Sequence, residues 1–270
     1  MPPKPFPTHF LCIPLVTPSS RPQLSQSVLS FAPDVAAETA ETASVIPQSA
    51  IRPVGTLHLT LGVCSFPKNE GLEAAKDLLR SLKPREILAG VRREAAARTT
   101  TTLPGENPPK PPEGEVKEEE ETEPPLKITL RGLASMQTPQ KTSVLYARPV
   151  DDRGVLQTFC EKLRGVFIDA GLMQEENRPL LLHATVLNTI YVKNPPPGES
   201  EGGRGNKRKR GRRGEKQAFD ARGLIDRYED HVWMRDCPVG RIELCKMGAK
   251  KIDVDGVEDE VYEAVAEVEF

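Results

Sequence analysis

The chain has 270 residues, of which 37 are basic and 39 acidic, giving a formal net charge of −2, with 26 Pro, 20 Gly and a hydrophobic fraction of 37%. That length allows one large or two small domains, and a hydrophobic fraction below the ~45–50% of a compact domain predicts that part of the chain lies outside the core. No apolar run approaches the ~18–20 residues of a membrane span, Met1-Pro2-Pro3-Lys4-Pro5 has no apolar signal region, and five scattered cysteines without a Cys-x-x-Cys pair exclude a disulfide framework and suggest no zinc site, so reduced thiols in cytosol or nucleus are expected.

In chain order, Thr8 to Val16 reads as a short strand, Gln23 to Phe31 as a helix, and Gly55 to Val63 as a strand with period-two alternation. Leu72, Ala75, Leu78, Leu79 and Leu82 have helical spacing over Gly71 to Leu82, with Asn69 as a cap. Residues 92–125 lose nearly every large apolar side chain and run through TTTTLPGENPPKPPEGEVKEEEETEPP, a disordered Pro/Glu-rich insertion by composition. Strands follow over Leu126 to Leu133 and Ser143 to Arg148. The clearest helix is Val155 to Ala170, capped by Asp151 or Asp152 and ended at Gly171. Leu181 to Val192 is a strand, residues 194–216 a flexible basic loop, Asp220 to Glu229 a short helix, and Val239 to Cys245 and Val261 to Phe270 strands. Interleaved strands and helices predict a single α+β domain over residues 8–270.

Two strands carry chemistry. In TLHLTLGV at 56–63, Leu57, Leu59, Leu61 and Val63 share one face while His58, Thr60 and Gly62 share the other, where Gly62 leaves room for a close approach. The pattern recurs as His183-Ala184-Thr185, so two of the four histidines lie in His-x-Thr contexts on the polar faces of strands. A pair of imidazoles suits phosphodiester cleavage, one acting as general base on a hydroxyl or water and the other as general acid on the departing oxygen, because both titrate near neutral pH. Two Thr hydroxyls can hold non-bridging phosphate oxygens between them. No carboxylate cluster accompanies them, so no metal and no other cofactor is expected.

HLTLGV at 58–63 and HATVLNT at 183–189, after the strand THFLCIPL at 8–15, resemble the 2H phosphoesterase (LigT-like) superfamily. LRGLASM at 130–136, VLYARPVD at 144–151, FDARGLIDRYED at 219–230 and RIELCKMGAK at 241–250 are similar to the branch shared by the nuclear-localisation-signal domain of A-kinase anchoring proteins and the first subunit of the activating signal cointegrator complex. The resemblance implies a bilobal α+β fold, two pseudo-symmetric halves around a central cleft, with His58 and His183 catalytic and Thr60 and Thr185 binding the substrate phosphate. It implies a hydrolase acting on RNA ends or small nucleotides: 2′,3′-cyclic phosphates, 2′-5′ linkages or 3′-end trimming, with ligation as the reverse direction. The alternative is a non-catalytic nucleotide- or RNA-binding subunit of a larger nuclear complex. No Gly-x-x-Gly segment lies between two helical patterns as in a KH module, and no spare amphipathic helix is present, so neither long-RNA recognition by such a module nor kinase anchoring follows.

The run Arg204 to Arg213, with seven basic residues, suggests contact with a nuclear import receptor or attraction of a polyanion, hence nucleus or cytoplasm. Glu118 to Glu121 reads as a solvated run. His9 and His231 are assigned structural roles, and Tyr146, Phe66 and Trp233 are assigned to the core in preference to base stacking. Lys193 could touch phosphate, Arg131 or Arg148 could bring positive charge to the cleft, and Cys64 shares the strand face of His58 by parity.

Overall fold

The computed structural model describes residues 6–40, 46–100, 124–175, 178–192, 217–254 and 256–270. Two four-stranded antiparallel sheets face each other across a cleft. The first has the order β10-β7-β1-β2, built from β1 (His9–Pro14), β2 (His58–Cys64), β7 (Arg241–Lys246) and β10 (Ala264–Glu269). The second has the order β5-β4-β3-β6, from β3 (Leu126–Ser135), β4 (Val144–Val150), β5 (Ala184–Asn188) and β6 (Val232–Val239). A small ribbon, β8 (Lys250–Val254) with β9 (Val257–Val261), completes the strands.

Strand alternation puts Leu11, Ile13, Leu59 and Leu61 of the first sheet into one continuous core with Ile128, Leu130, Leu145 and Val186 of the second. Helix α1 (Arg21–Ala40) packs on β6, α2 (Leu72–Ser81) on β10, and α4 (Leu156–Asp169) on β2, while α5 (Arg222–Arg227) lies on β3. The two lobes are therefore not the two halves of the sequence. Strands from both ends of the chain form the first sheet, and α1 and α4 each cover the sheet that holds the other half's histidine motif, while α2 and α5 lie on the sheet of their own half's motif.

Local chemistry explains several ends. Asp151 caps α4 by accepting from the N–H groups of Val155 (2.7 Å) and Leu156 (3.3 Å), and Gly171 follows the helix with a φ of +70°. Asn69 caps nothing; α2 starts after Gly71 at φ +82°, and Asn69 sits in the preceding 3-10 turn. Helix α1 continues to Ala40, past the expected end at Phe31, because Val35 also reaches the core.

An unforeseen helix, α3 (Pro84–Thr100), starts on a proline and buries Leu88 and Val91 against α4, with Glu94 paired to Lys162 at 2.6 Å. Residues 92–100 are thus helical rather than part of an insertion beginning at 92, since that narrow apolar stripe among Arg and Ala is too sparse for composition to reveal. The rest of that insertion through 123, and the loop 194–216, lie outside the described residues. Strand β5 is shorter than expected: the Asn188 side chain accepts from the Ile190 N–H at 3.0 Å and turns the chain into a 3-10 turn, Thr189–Tyr191.

Each motif strand carries a β-bulge at the same place. In β2 the register steps from Gly62 opposite Leu11 to Thr60 opposite Cys12, leaving Leu61 as the extra residue; in β5 it steps from Leu187 opposite Leu145 to Thr185 opposite Tyr146, leaving Val186 extra. Each extra residue is the third after its histidine. The bulge reverses the alternation beyond it, so Val63 turns toward the cleft and Cys64 toward the core. Gly62 consequently faces inward, and the group that occupies its space is Met173, whose Sδ would lie 2.1 Å from a Cβ there. The close approach expected at Gly62 is made by the protein's own core.

Gly55 is the other glycine whose missing side chain matters. Its N–H donates to Asp259 at 2.9 Å, and an added Cβ would stand 2.5 Å from the Glu260 carbonyl oxygen. Gly55→Ala is expected to lower stability by ~1–3 kcal/mol, because backbone must shift to make room. Chemical denaturation would check this, and an unchanged midpoint would show that β9 yields freely.

Candidate active site

β2 and β5 are edge strands of their sheets, and the segment before β2 joins them: Ile51 forms an isolated bridge with Leu187, and the Arg52 N–H donates to the Val186 carbonyl at 2.8 Å. This link ties one motif strand to the bulge of the other. A cavity of about 190 Å³ opens between the edges, lined by His58, Thr60 and Val63 from β2 and by Thr185 and Asn188 from β5. The paired bulges make these sets correspond: Val63 and Asn188 each lie five residues after their histidine. His183 does not itself line this cavity, but its charge acts on His58.

Both imidazoles are oriented alike. His58 Nδ1 lies 2.7 Å from the Thr56 carbonyl oxygen and His183 Nδ1 lies 2.8 Å from that of Leu181, the carbonyl two residues earlier in each case. A carbonyl can only accept, so each Nδ1 carries the proton and each Nε2 is the group free for chemistry. His58 packs against Phe10 and Tyr262, with ring centroids 4.9 and 5.2 Å away, and His183 packs edge-on to Tyr146 at 5.4 Å. Burial holds His58 down at about 4; the Thr56 hydrogen bond opposes that shift, while the charges of His183 and Arg52 reinforce it. His58 is therefore neutral at pH 7.

Among the described residues, the positive charge lining the cavity comes from Arg52. Its side chain is only 5% exposed, its guanidinium lies 3.8 Å over the Tyr191 ring, and it donates to the Tyr262 hydroxyl at 3.5 Å, with Glu260 4.0 Å away. Burial, followed by the nearness of Tyr191, pushes the Tyr262 phenol up to about 12, so it stays protonated as a donor. Arg131 and Arg148, the two expected sources of charge, are exposed residues on β3 and β4 that do not line the cavity, and Arg131 is paired to Asp230 at 2.6 Å. Sequence reasoning missed Arg52 because it lies in an irregular segment without periodicity. Its one available signal was position, six residues before His58.

Other expectations resolve by packing. Cys64 is buried on the core side, and burial pushes its thiol up to about 12, so it is no nucleophile. Trp233 is fully buried, donates to the Gly132 carbonyl at 2.9 Å, and packs with Phe31, Tyr228 and His231; His9 packs against Phe66 at 5.4 Å. Lys193 and the run Arg204–Arg213 lie outside the described residues. Among the described residues, those lining the cavity include no carboxylate and present no set of anionic oxygen ligands to a hard divalent cation. No helix among the described residues is long and apolar enough to cross a membrane.

The chain is similar to an uncharacterized protein of Schizosaccharomyces pombe, 28% identical over 125 residues, which is 46% of this chain and 50% of that protein. The match thus spans half the length of that curated relative. Among solved structures, a phosphoesterase superposes with a TM-score of 0.43 at 14% identity, and Escherichia coli LigT complexed with 3′-AMP with a TM-score of 0.37 at 14%, each over 97% of both chains. The family model for the AKAP7 2′5′ RNA ligase-like domain matches residues 7–270, and the chain belongs to that family.

Proposed function

We propose that the chain is a metal-independent phosphodiesterase that acts on RNA ends or small nucleotides, its substrate class being 2′,3′-cyclic phosphates, 2′-5′ linkages or trimmed 3′ ends. The observation that carries this reading is the matched pair of His-x-Thr strands, each with its bulge at the same offset and its Nδ1 bound to the carbonyl two residues back. Such matching in two edge strands supports a site built for one phosphate gripped from both sides.

In this reading Thr60 and Thr185 donate to the non-bridging oxygens, and Arg52 with the Tyr262 hydroxyl offsets their charge. His58, neutral at pH 7, accepts the proton of the attacking water or hydroxyl through Nε2 as the new bond to phosphorus forms. His183 gives a proton to the leaving oxygen as the old P–O bond breaks. In the reverse direction the roles exchange. The basic run Arg204–Arg213 belongs to the same reading as a nuclear import or polyanion-attracting segment.

The test is a panel of RNA oligomers ending in 2′,3′-cyclic phosphate or in 3′-hydroxyl, or containing a 2′-5′ linkage, incubated with the full chain and EDTA. Turnover of at least one class in EDTA is expected. Nucleotide binding without product on every member would replace the enzyme reading with that of a binding subunit.

A further inference from the structure

We infer that Cys12, Cys245 and Glu243 form a binding site for a thiophilic divalent cation of the zinc class, on the cleft face of the first sheet beside His58. Their ligand atoms all lie within 4.8 Å of one another. Cys12 on β1 is opposite Glu243 on β7, and Cys245 opposite Phe10, so the three side chains project from the same face of neighbouring strands. They border a second cavity of about 190 Å³, into which His58 and Tyr262 also project.

The spacings distinguish a metal site from a disulfide. The two Sγ atoms are 3.9 Å apart, and Cys245 Sγ lies 3.4 Å from Glu243 Oε2. Thiolates ~2.3 Å from a tetrahedral zinc are ~3.8 Å apart, and a thiolate and a carboxylate oxygen on it are ~3.5 Å apart. A disulfide would need the sulfurs at ~2.05 Å and the Cα atoms within ~6.8 Å. Diagonal partners across an antiparallel pair, as these are, stand ~7–8 Å apart.

The second shell fits as well. Arg241 Nε lies 2.8 Å from Glu243 Oε1, which fixes the carboxylate with Oε2 turned to the cysteines. Binding releases both thiol protons and leaves the two thiolates, the carboxylate and the cation with one net negative charge, which Arg241 balances. Three protein ligands leave the fourth position for water or for a group reaching in from the cavity.

The test loads the reduced full chain with Co²⁺ and then titrates with Zn²⁺. Expected are one equivalent of Co²⁺ with a thiolate-to-cobalt charge-transfer band of two-sulfur intensity, a tetrahedral visible band, and loss of both on adding one equivalent of Zn²⁺. Cys12→Ser and Cys245→Ser should each abolish the two-sulfur band, Glu243→Gln should weaken binding, and Cys237→Ser, a buried thiol on β6, should leave all of it intact. Circular dichroism on each variant separates lost ligation from lost folding, and the wild-type band counts sulfurs without any variant. Absence of a thiolate band at saturating Co²⁺, or persistence of its full two-sulfur intensity in folded Cys12→Ser, would overturn the assignment. The readout is ligation rather than turnover, so its failure is separate from failure of the phosphodiesterase reading.

Discussion

His58→Ala and His183→Ala are each expected to lower kcat/KM by ~10²–10⁴-fold, the usual loss when one partner of a general acid–base pair is removed. The double variant should be little worse than either single one, since a proton relay with one end missing is already broken. His58 lies below its ordinary value of 6.5, at about 4, chiefly because burial disfavours the imidazolium. The acid limb of the wild-type rate profile should therefore fall off near pH 4 rather than near 6.5. Because the two imidazoles feel each other's charge, that limb reports on the pair.

The same shift has a consequence for stability. The unfolded chain takes up the His58 proton at the higher pH, so stability falls as pH drops through 6.5 toward 4 and is fully present above that window. His58→Ala should flatten the window while leaving stability at pH 8 nearly intact. Full activity in either single variant, on a substrate the wild type turns over, would end the paired mechanism.

Arg52→Ala is expected to lower kcat by ~10²–10³-fold, the scale measured when one preorganised donor to a developing oxyanion is lost. The guanidinium is buried and held between Tyr191 and Tyr262, so it meets a phosphate without first giving up a mobile water shell. Arg52→Lys should restore only part of the loss, because an ammonium keeps the charge without the planar stacking on Tyr191 or the second donor. The Arg52 backbone N–H still holds Val186 in both variants, so the β2–β5 link survives. Steady-state kinetics beside a thermal unfolding curve separates the two contributions. A variant that unfolds normally and keeps kcat within a few-fold of wild type would remove Arg52 from the site.

Period-two alternation made the two His-x-Thr strands legible, and the 3.6-residue period with Asp151 and Gly171 at its ends made α4 legible to within a residue. These are local signals, written within a few turns or pleats of chain. Helix α3 escaped because its buried stripe is narrow, and β8 and β9 because they bury no apolar side chain, their one buried residue being Asp259. Two inferences from strand parity, the open space at Gly62 and the facing of Cys64, failed for one reason. The bulge at Leu61 adds a residue and turns everything beyond it over.

The sequence by itself determined the residue types of the chemistry and which face of each strand carries them, because hydrophobic alternation leaves His58, Thr60, His183 and Thr185 opposite the core. Only the tertiary structure decided that Arg52 rather than Arg131 or Arg148 supplies the cleft's charge. It alone brought Cys12 to Cys245, 233 positions away. Both outcomes depend on which strands become neighbours, and a single strand's pattern states that it needs a partner without stating which one.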